Sequence, residues 1–319
     1  MEKTTMNQPS FCLDFPRAWN APLAKGVIKQ QPEDFYVEEL LTPDLAETGE
    51  HVWLWIEKTG QNTEYVAEKI AAFAQVKEMD VGFSGLKDRW AQTRQWFSVY
   101  LGNKVEPDWA EMSLEGVTLL KHGRHQKKLR RGEHVANKFC IRLRALAQAE
   151  NIETVLQQIK EQGFPNYFGP QRFGLNGANL TRGFRFFKGE IKASRSQRSF
   201  YLSAARSYLF NLNLAQAIEK NTWLSEGLGG PLYGDEVPGQ AELNAEEREI
   251  LAAHPVFSAA IHKKRLKLER RPYVIVPQDL IWEFDRDELL LTFSLPSGCF
   301  ATALLAELVS FEVGMGVRE

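Results

Sequence analysis

The sequence predicts an α+β fold built on a mixed, mostly antiparallel sheet. Three observations lead there. Short apolar or alternating runs of strand type recur along the chain. Helical patterns fall between them, but not in the strict strand–helix–strand order that a parallel sheet needs. The texture also changes between about Phe164 and about Pro272, where glycine-rich stretches and a long helical pattern take over. That block reads as an insert, with residues 1–162 and 273–319 forming one domain and 163–272 the other.

The elements follow in order. Residues 1–20 read as an extended lead-in. Val27-Ile28 and Phe35-Tyr36-Val37 are strand-like around Pro32-Glu33-Asp34. Val52–Ile56 is a continuous apolar run, as in a buried strand. After Thr59-Gly60, Asn62 can cap a helix whose Val66, Ile70 and Phe73 share one face. Val81–Phe83 and Gln95–Leu101 read as strands, the latter rich in aromatic and β-branched residues. Lys138–Ala145 gives the cleanest strand signal. Phe139, Ile141, Leu143 and Ala145 alternate with Lys138, Cys140, Arg142 and Arg144. A helix over Ile152–Gln162 closes at Gly163. The spacing then predicts a long helix over Phe200–Lys220, a glycine-rich loop over Leu224–Gly239 and a short helix over Glu246–Ala253. Strands at Tyr273–Val276 and Leu289–Ser294, and a helix at Ala301–Val309, complete the chain. No internal repeat or low-complexity tract occurs.

The 319 residues carry a net charge of -2, which by itself argues against a nucleic-acid partner. The charge is segregated, however. Nine cations and one acid, Glu133, lie between Lys121 and Arg144, and six cations lie in Lys263–Arg271. A sparser cluster holds Lys192, Arg195, Arg198 and Arg206. Such stretches suit phosphate contacts, or are solvated charged faces. Cys12, Cys140 and Cys299 are far apart and form no Cys-x-x-Cys pair, which fits a reducing cytoplasm. No apolar run has the length of a signal-peptide core or a membrane span, so no membrane partner is expected.

Most motif-bearing chemistries are missing. No dinucleotide fingerprint, P-loop, His-Glu-x-x-His or nucleophile elbow is present. No metal site and no cofactor are therefore expected. The densest candidate is Gly85-Leu86-Lys87-Asp88-Arg89, where one carboxylate sits among Lys87, Arg89 and Arg94. Flanking cations would favour its charged form, fit for a nucleophile or base. Spacing alone leaves this open, because a turn residue in a surface ion pair looks the same.

Four separated segments together resemble the TruD family of tRNA pseudouridine synthases. They are Lys29–Phe35, Gly85–Arg89 following Lys58–Thr63, Asn137–Phe139 with Asn166–Gly174, and Leu295–Thr302. They occur in the family's order, across about residues 25–310. The resemblance implies a pseudouridine-synthase-like catalytic domain at 1–162 and 273–319, with an inserted α/β TRUD domain at 163–272. It implies an isomerase acting on uridine 13 of tRNA, with Asp88 as the catalytic aspartate and no cofactor. Phe35, Asn137 and Phe300 would line the substrate pocket, and Phe139 would stack on the target base. Lys29 and Arg89 would be electrostatic partners of Asp88. A monomeric cytoplasmic protein is implied. The chain departs from the family's pattern at Leu86, where Gln is frequent, and at Trp90, where His is frequent. Its stretch from Gly227 to Glu242 is also short for the inserted domain. Without the resemblance, Phe35, Phe139 and Phe300 read as core residues and Asn137 as a turn residue. The rival function is a non-catalytic tRNA-binding or RNA chaperone protein.

Overall fold

The structure, a computed structural model, describes residues 10–19, 23–225, 227, 229–236 and 242–314. Residues 1–9 and 20 of the expected lead-in, and residues 226, 228 and 237–239 of the expected loop, lie outside them. In chain order the strands are β1 (Ala24–Ile28), β2 (Phe35–Leu40), β3 (His51–Thr59), β4 (Val81–Phe83), β5 (Gln92–Tyr100), β6 (Val117–His125) and β7 (Ala136–Ala147). They continue as β8 (Phe164–Pro165), β9 (Gly229–Leu232), β10 (Glu269–Pro272), β11 (Val274–Ile275), β12 (Gln278–Asp285), β13 (Glu288–Pro296) and β14 (Val309–Val313). The helices are α1 (Thr63–Phe73), α2 (Ile152–Gln162), α3 (Ala178–Phe187), α4 (Arg195–Glu219), α5 (Ala245–Ala252), α6 (Pro255–Lys263) and α7 (Ala301–Leu308).

The chain forms two compact units. The sheet unit draws on Pro22–Leu156, Pro277–Gly298 and Leu308–Glu319, and the helical unit on Met1–Ala21, Gln157–Val276 and Cys299–Glu307.

In the sheet unit the strand order is β12-β13-β7-β2-β5-β3-β6, with β1 beside β7 and β14, and β4 on β5. Among the described residues, β1–β14 and β2–β5 are the parallel pairs of this sheet, which makes it mixed and mostly antiparallel. The unbroken apolar run of β3 is explained by two buried faces. Val52, Leu54 and Ile56 pack with Val66 and Ile70 of α1, while Trp53 lies on the other face with Trp96 and Leu129. Each such buried side chain contributes about 1.5–3 kcal/mol relative to exposure.

Some expectations need correction. β5 starts at Gln92, because Gln92–Arg94 pair with Tyr36–Glu38. The alternation of β7 stops short of Ala145, which is exposed and has φ 51°, where the strand bulges against β1. The cationic stretch after Val117 is partly an edge strand, β6. Both faces of β12 are largely exposed, so it carries little alternation to detect.

In the helical unit, α4 is the central element. It begins five residues before Phe200, because Ser194 and Gln197 form a capping box. Its buried face meets Phe173, Leu180, Phe257 and Ile261 in one cluster. Helices α3 and α6 were not expected, although Leu180, Phe184 and Phe187 have helical spacing. The Leu224–Gly239 stretch is not wholly loop. Gly229–Leu232 pairs with Glu269–Pro272, a partner supplied only by tertiary structure. The expected strand at Tyr273–Val276 is shortened to β11, Val274–Ile275, while a separate strand, β10, ends before it at Pro272.

Candidate active site

Asp88 lies in the turn between β4 and β5, and its side chain is 40% exposed. Its backbone setting is unusually well fixed. The Ser84 carbonyl accepts from Gly132 N–H at 2.9 Å, and the Gly85 carbonyl from Gln95 Nε2 at 3.1 Å. The Lys87 amide donates to Thr63 Oγ1 at 3.0 Å. The Asp88 carbonyl accepts from Lys58 Nζ at 2.9 Å. Asp88 Oδ1 then accepts from the Trp90 amide at 2.9 Å, which sets the carboxylate's rotation. The loop thus has few ways to relax, which is the requirement for a group that must meet a substrate atom.

One cation pairs with the carboxylate. Lys29 Nζ bonds Asp88 Oδ2 and lies over the Phe35 ring, 4.4 Å from its centre. Lys29 itself adopts φ 54°, an uncommon backbone conformation for a residue with a side chain. The other expected partners point elsewhere. Arg89 donates to the Gly60 carbonyl at 3.1 Å and lies over Trp90. Arg94 pairs with Glu57 at 2.8 Å and with Glu38 at 3.7 Å.

Lys87 faces inward. Its ammonium bonds Glu39 at 3.1 Å and Asn137 Oδ1 at 2.8 Å. Burial pushes the Glu39 carboxyl up and the Lys87 ammonium down, each partly opposed by the other's charge. With its oxygen taken by Lys87, Asn137 turns Nδ2 to His134 Nε2 at 3.3 Å. His134 Nδ1 then donates to Ser84 Oγ at 2.6 Å, a tautomer assigned from this network. Burial first, then the Lys87 charge, lowers His134 to about 4, so the ring is neutral near pH 7. Asn137 is therefore held in one amide orientation.

Lys58 is wholly buried, and burial lowers its ammonium to about 8, partly opposed by the Asp88 charge. Its ammonium donates to two carbonyls, of Gln61 and Asp88.

Among the expected pocket aromatics, Phe35 and Phe139 meet edge to face at 6.4 Å, and Phe139 stacks on Phe293 at 5.4 Å. Both are buried. Phe300 belongs to the helical unit, where its ring meets the edge of Phe168 at 5.8 Å.

The two long cationic stretches are only partly available to an external anion. Arg142 and Arg144 of β7 pair with Glu288, and Arg144 also with Asp34. Arg124 pairs with Glu106, and Arg270 with Glu247. Lys127, Arg130, Lys138, Lys263 and Lys264 are exposed. Among the described residues, no group of three or more His, Cys, Asp or Glu could hold a metal, and no helix is long and apolar enough to cross a membrane.

Sequence reasoning passed over Glu39, Lys58 and His134. A signal existed for two of them. Glu39 continues the buried parity of Phe35 and Val37, and Lys58 that of Val52, Leu54 and Ile56. A charge on a buried parity needs a partner, and here the partners build the candidate site.

Residues 16–194 match the family model described as tRNA pseudouridine synthase D (TruD). Proteins named tRNA pseudouridine synthase D are similar over nearly their whole length. The Cellvibrio japonicus protein is 42% identical, covering 95% of both chains. The Methylococcus capsulatus protein is 40% identical, covering 94% of this chain and 95% of its own. The Hydrogenovibrio crunogenus protein is 36% identical, covering 97% and 99%. A crystal structure from Methanosarcina mazei, described as a tRNA pseudouridine synthase D, shares the fold. Its TM-score is 0.67 at 18% identity, over 92% of this chain and 95% of that one.

Proposed function

The chain belongs to the tRNA pseudouridine synthase D (TruD) family, and from that premise we propose that it isomerises uridine 13 of tRNA to pseudouridine, with Asp88 as the catalytic group. The observation that carries the reading is the Asp88 carboxylate on its clamped turn, paired with a Lys29 ammonium that also covers Phe35.

The reaction breaks the bond from ribose C1′ to N1, rotates the uracil and joins C1′ to C5. The C5 proton leaves and N1 gains one, so product and substrate have the same composition. The carboxylate can add to C1′, or remove a proton from C2′ so that a glycal forms. Both roles need the charged form, and Lys29 supplies the opposing charge.

The target base must leave its stack, at a cost of a few kcal/mol. Stacking on Phe139 would return about 1–3 kcal/mol. Phe139 is backed by Phe293 and edged by Phe35, so it is a stiff support. Asn137, oriented by Lys87 and His134, would present an amide N–H to the uracil edge. Phe300, in the helical unit, would meet the substrate nucleotide, and Arg89 would serve the RNA strand or the turn at Gly60 rather than the carboxylate. In this reading residues 1–162 and 273–319 are the catalytic domain and 163–272 the inserted TRUD domain. The protein works as a cytoplasmic monomer.

The test is pseudouridine mapping of tRNA treated with the wild type and with Asp88→Asn. The variant should bind tRNA as tightly as the wild type and make no product, a loss beyond ~10⁴-fold. Full product from the variant would remove Asp88 from the mechanism. No new site in any RNA with the wild type would favour the non-catalytic tRNA-binding protein instead.

A further inference from the structure

Two cations that the reading above does not use meet at Phe168: Arg172 of the segment Asn166–Gly174, and Arg271 of β10. Arg172 and Arg271 both lie against the Phe168 ring, with guanidinium carbons 5.8 Å and 4.1 Å from its centre. The ring is pinned through its backbone. Asn211 on α4 accepts from the Phe168 amide at 2.9 Å and donates to its carbonyl at 3.0 Å. Arg172 reaches Ser207 at 3.3 Å and also Ser203, which uses two of the five N–H groups of a guanidinium. Arg271 reaches the carbonyl and side-chain oxygen of Asn166 and neighbours Cys299.

These partners are neutral. Elsewhere in the chain, partly buried arginines meet carboxylates. Arg94 has Glu57, Arg124 has Glu106, Arg144 has Asp34 and Arg270 has Glu247. Among the described residues, Arg172 makes no ion pair. Burial lowers its guanidinium. Arg271 is lowered to about 10 by burial first, and the like charge of Arg172 adds to that. Two cations fixed on one ring, with one of them unneutralised, form a site completed by an anion. Planar guanidinium forks match the oxygens of a phosphate better than a lysine ammonium would.

Phe300 identifies the anion. Its ring meets the same Phe168 ring at 5.8 Å, and the preceding residue, Cys299, is Arg271's neighbour. We propose that Arg172 and Arg271 on Phe168 form a subsite for one backbone phosphate of the RNA, adjoining the nucleotide that Phe300 contacts. This rests on the RNA reading above but not on Asp88.

The experiment measures tRNA affinity against salt concentration for the wild type and Arg172→Gln. One lost phosphate contact should lower the slope of log K against log salt by about 0.7–0.9. An unchanged slope in a folded variant overturns the subsite. Should Arg172→Gln fail to fold, the wild type alone decides. Bound tRNA should protect Arg172 and Arg271 from phenylglyoxal, read by mass spectrometry. Equal modification with and without tRNA overturns the proposal. Equal protection by inorganic phosphate alone also overturns it, in favour of a free-anion site. A wild type that binds tRNA through these residues but makes no pseudouridine would sink the proposed reaction and leave the subsite standing.

Discussion

The turn carrying Asp88 and the segment carrying Phe168 are both glycine-bearing, and both gather cations, yet they treat charge in opposite ways. At Asp88 an exposed carboxylate has a cation, Lys29, and its backbone is fixed by groups beneath it. At Phe168 the cations stand against a ring, with hydroxyl and amide oxygens as partners. The first arrangement orients a reactive group from behind and leaves its front free. The second leaves the positive charge of Arg172 without an ion pair among the described residues. In the proposed reading, that contrast separates a group that acts from groups that hold.

The same contrast extends to buried charge. Lys87 and Glu39 are a closed pair, with side chains 5% and 0% exposed. Lys58 and, in the helical unit, Glu307 instead hold backbone. Glu307 accepts from the amides of Ala18 and Trp19 at 3.0 Å each.

The largest effect on stability should come from breaking the closed pair. Lys87→Met leaves the Glu39 carboxylate buried without its cation, although the Trp96 amide still donates to it, and should cost about 3–5 kcal/mol in denaturant unfolding. Adding Glu39→Met should recover most of it. If the double variant is no more stable than the single, the two charges do not act as a pair.

Next comes Lys58, whose role is to hold the Asp88 carbonyl. Lys58→Met removes a buried charge but also abandons two carbonyls, so stability should shift modestly. Turnover should fall by about 10²-fold, because the turn is released by a fraction of an ångström or more. tRNA affinity should stay unchanged. A variant with normal turnover would show that the other clamps, Thr63 and Gln95, suffice.

The smallest effect tests Glu307, whose carboxyl is raised to about 7 by burial, partly opposed by the amides of Trp19 and Ala18. A raised value means the folded state holds the proton more tightly than the unfolded state. Its stabilising contribution is complete below the ordinary glutamate range and is lost as pH rises through about 7. Glu307→Gln should therefore exceed the wild type in stability at pH 8 by up to about 3 kcal/mol, with the gap closing towards pH 4. A gap that does not change with pH would refute the burial of a titrating carboxyl there.

Much of the site was readable, because the chemistry is concentrated in short segments. Gly85–Arg89 gave Asp88, and the ordered segments gave Lys29, Phe35, Asn137, Phe139 and Phe300. What spacing could not supply is direction. Lys87, Asp88 and Arg89 are adjacent, yet Lys87 turns to Glu39, and Arg89 to Gly60. Adjacency in a turn says little about where long side chains go, since burial and distant carbonyls decide it.

By itself the sequence determined the α+β class and the family, and put Asp88 forward as the candidate carboxylate, because period-2 alternation, helical spacing and motif order are local properties. Tertiary structure alone decided which charges face each other. Lys29 meets Asp88 across 59 positions, and Lys87 meets Asn137 across 50. Such pairings depend on strand register and burial, and these are set only when β2, β5 and β7 align in one sheet.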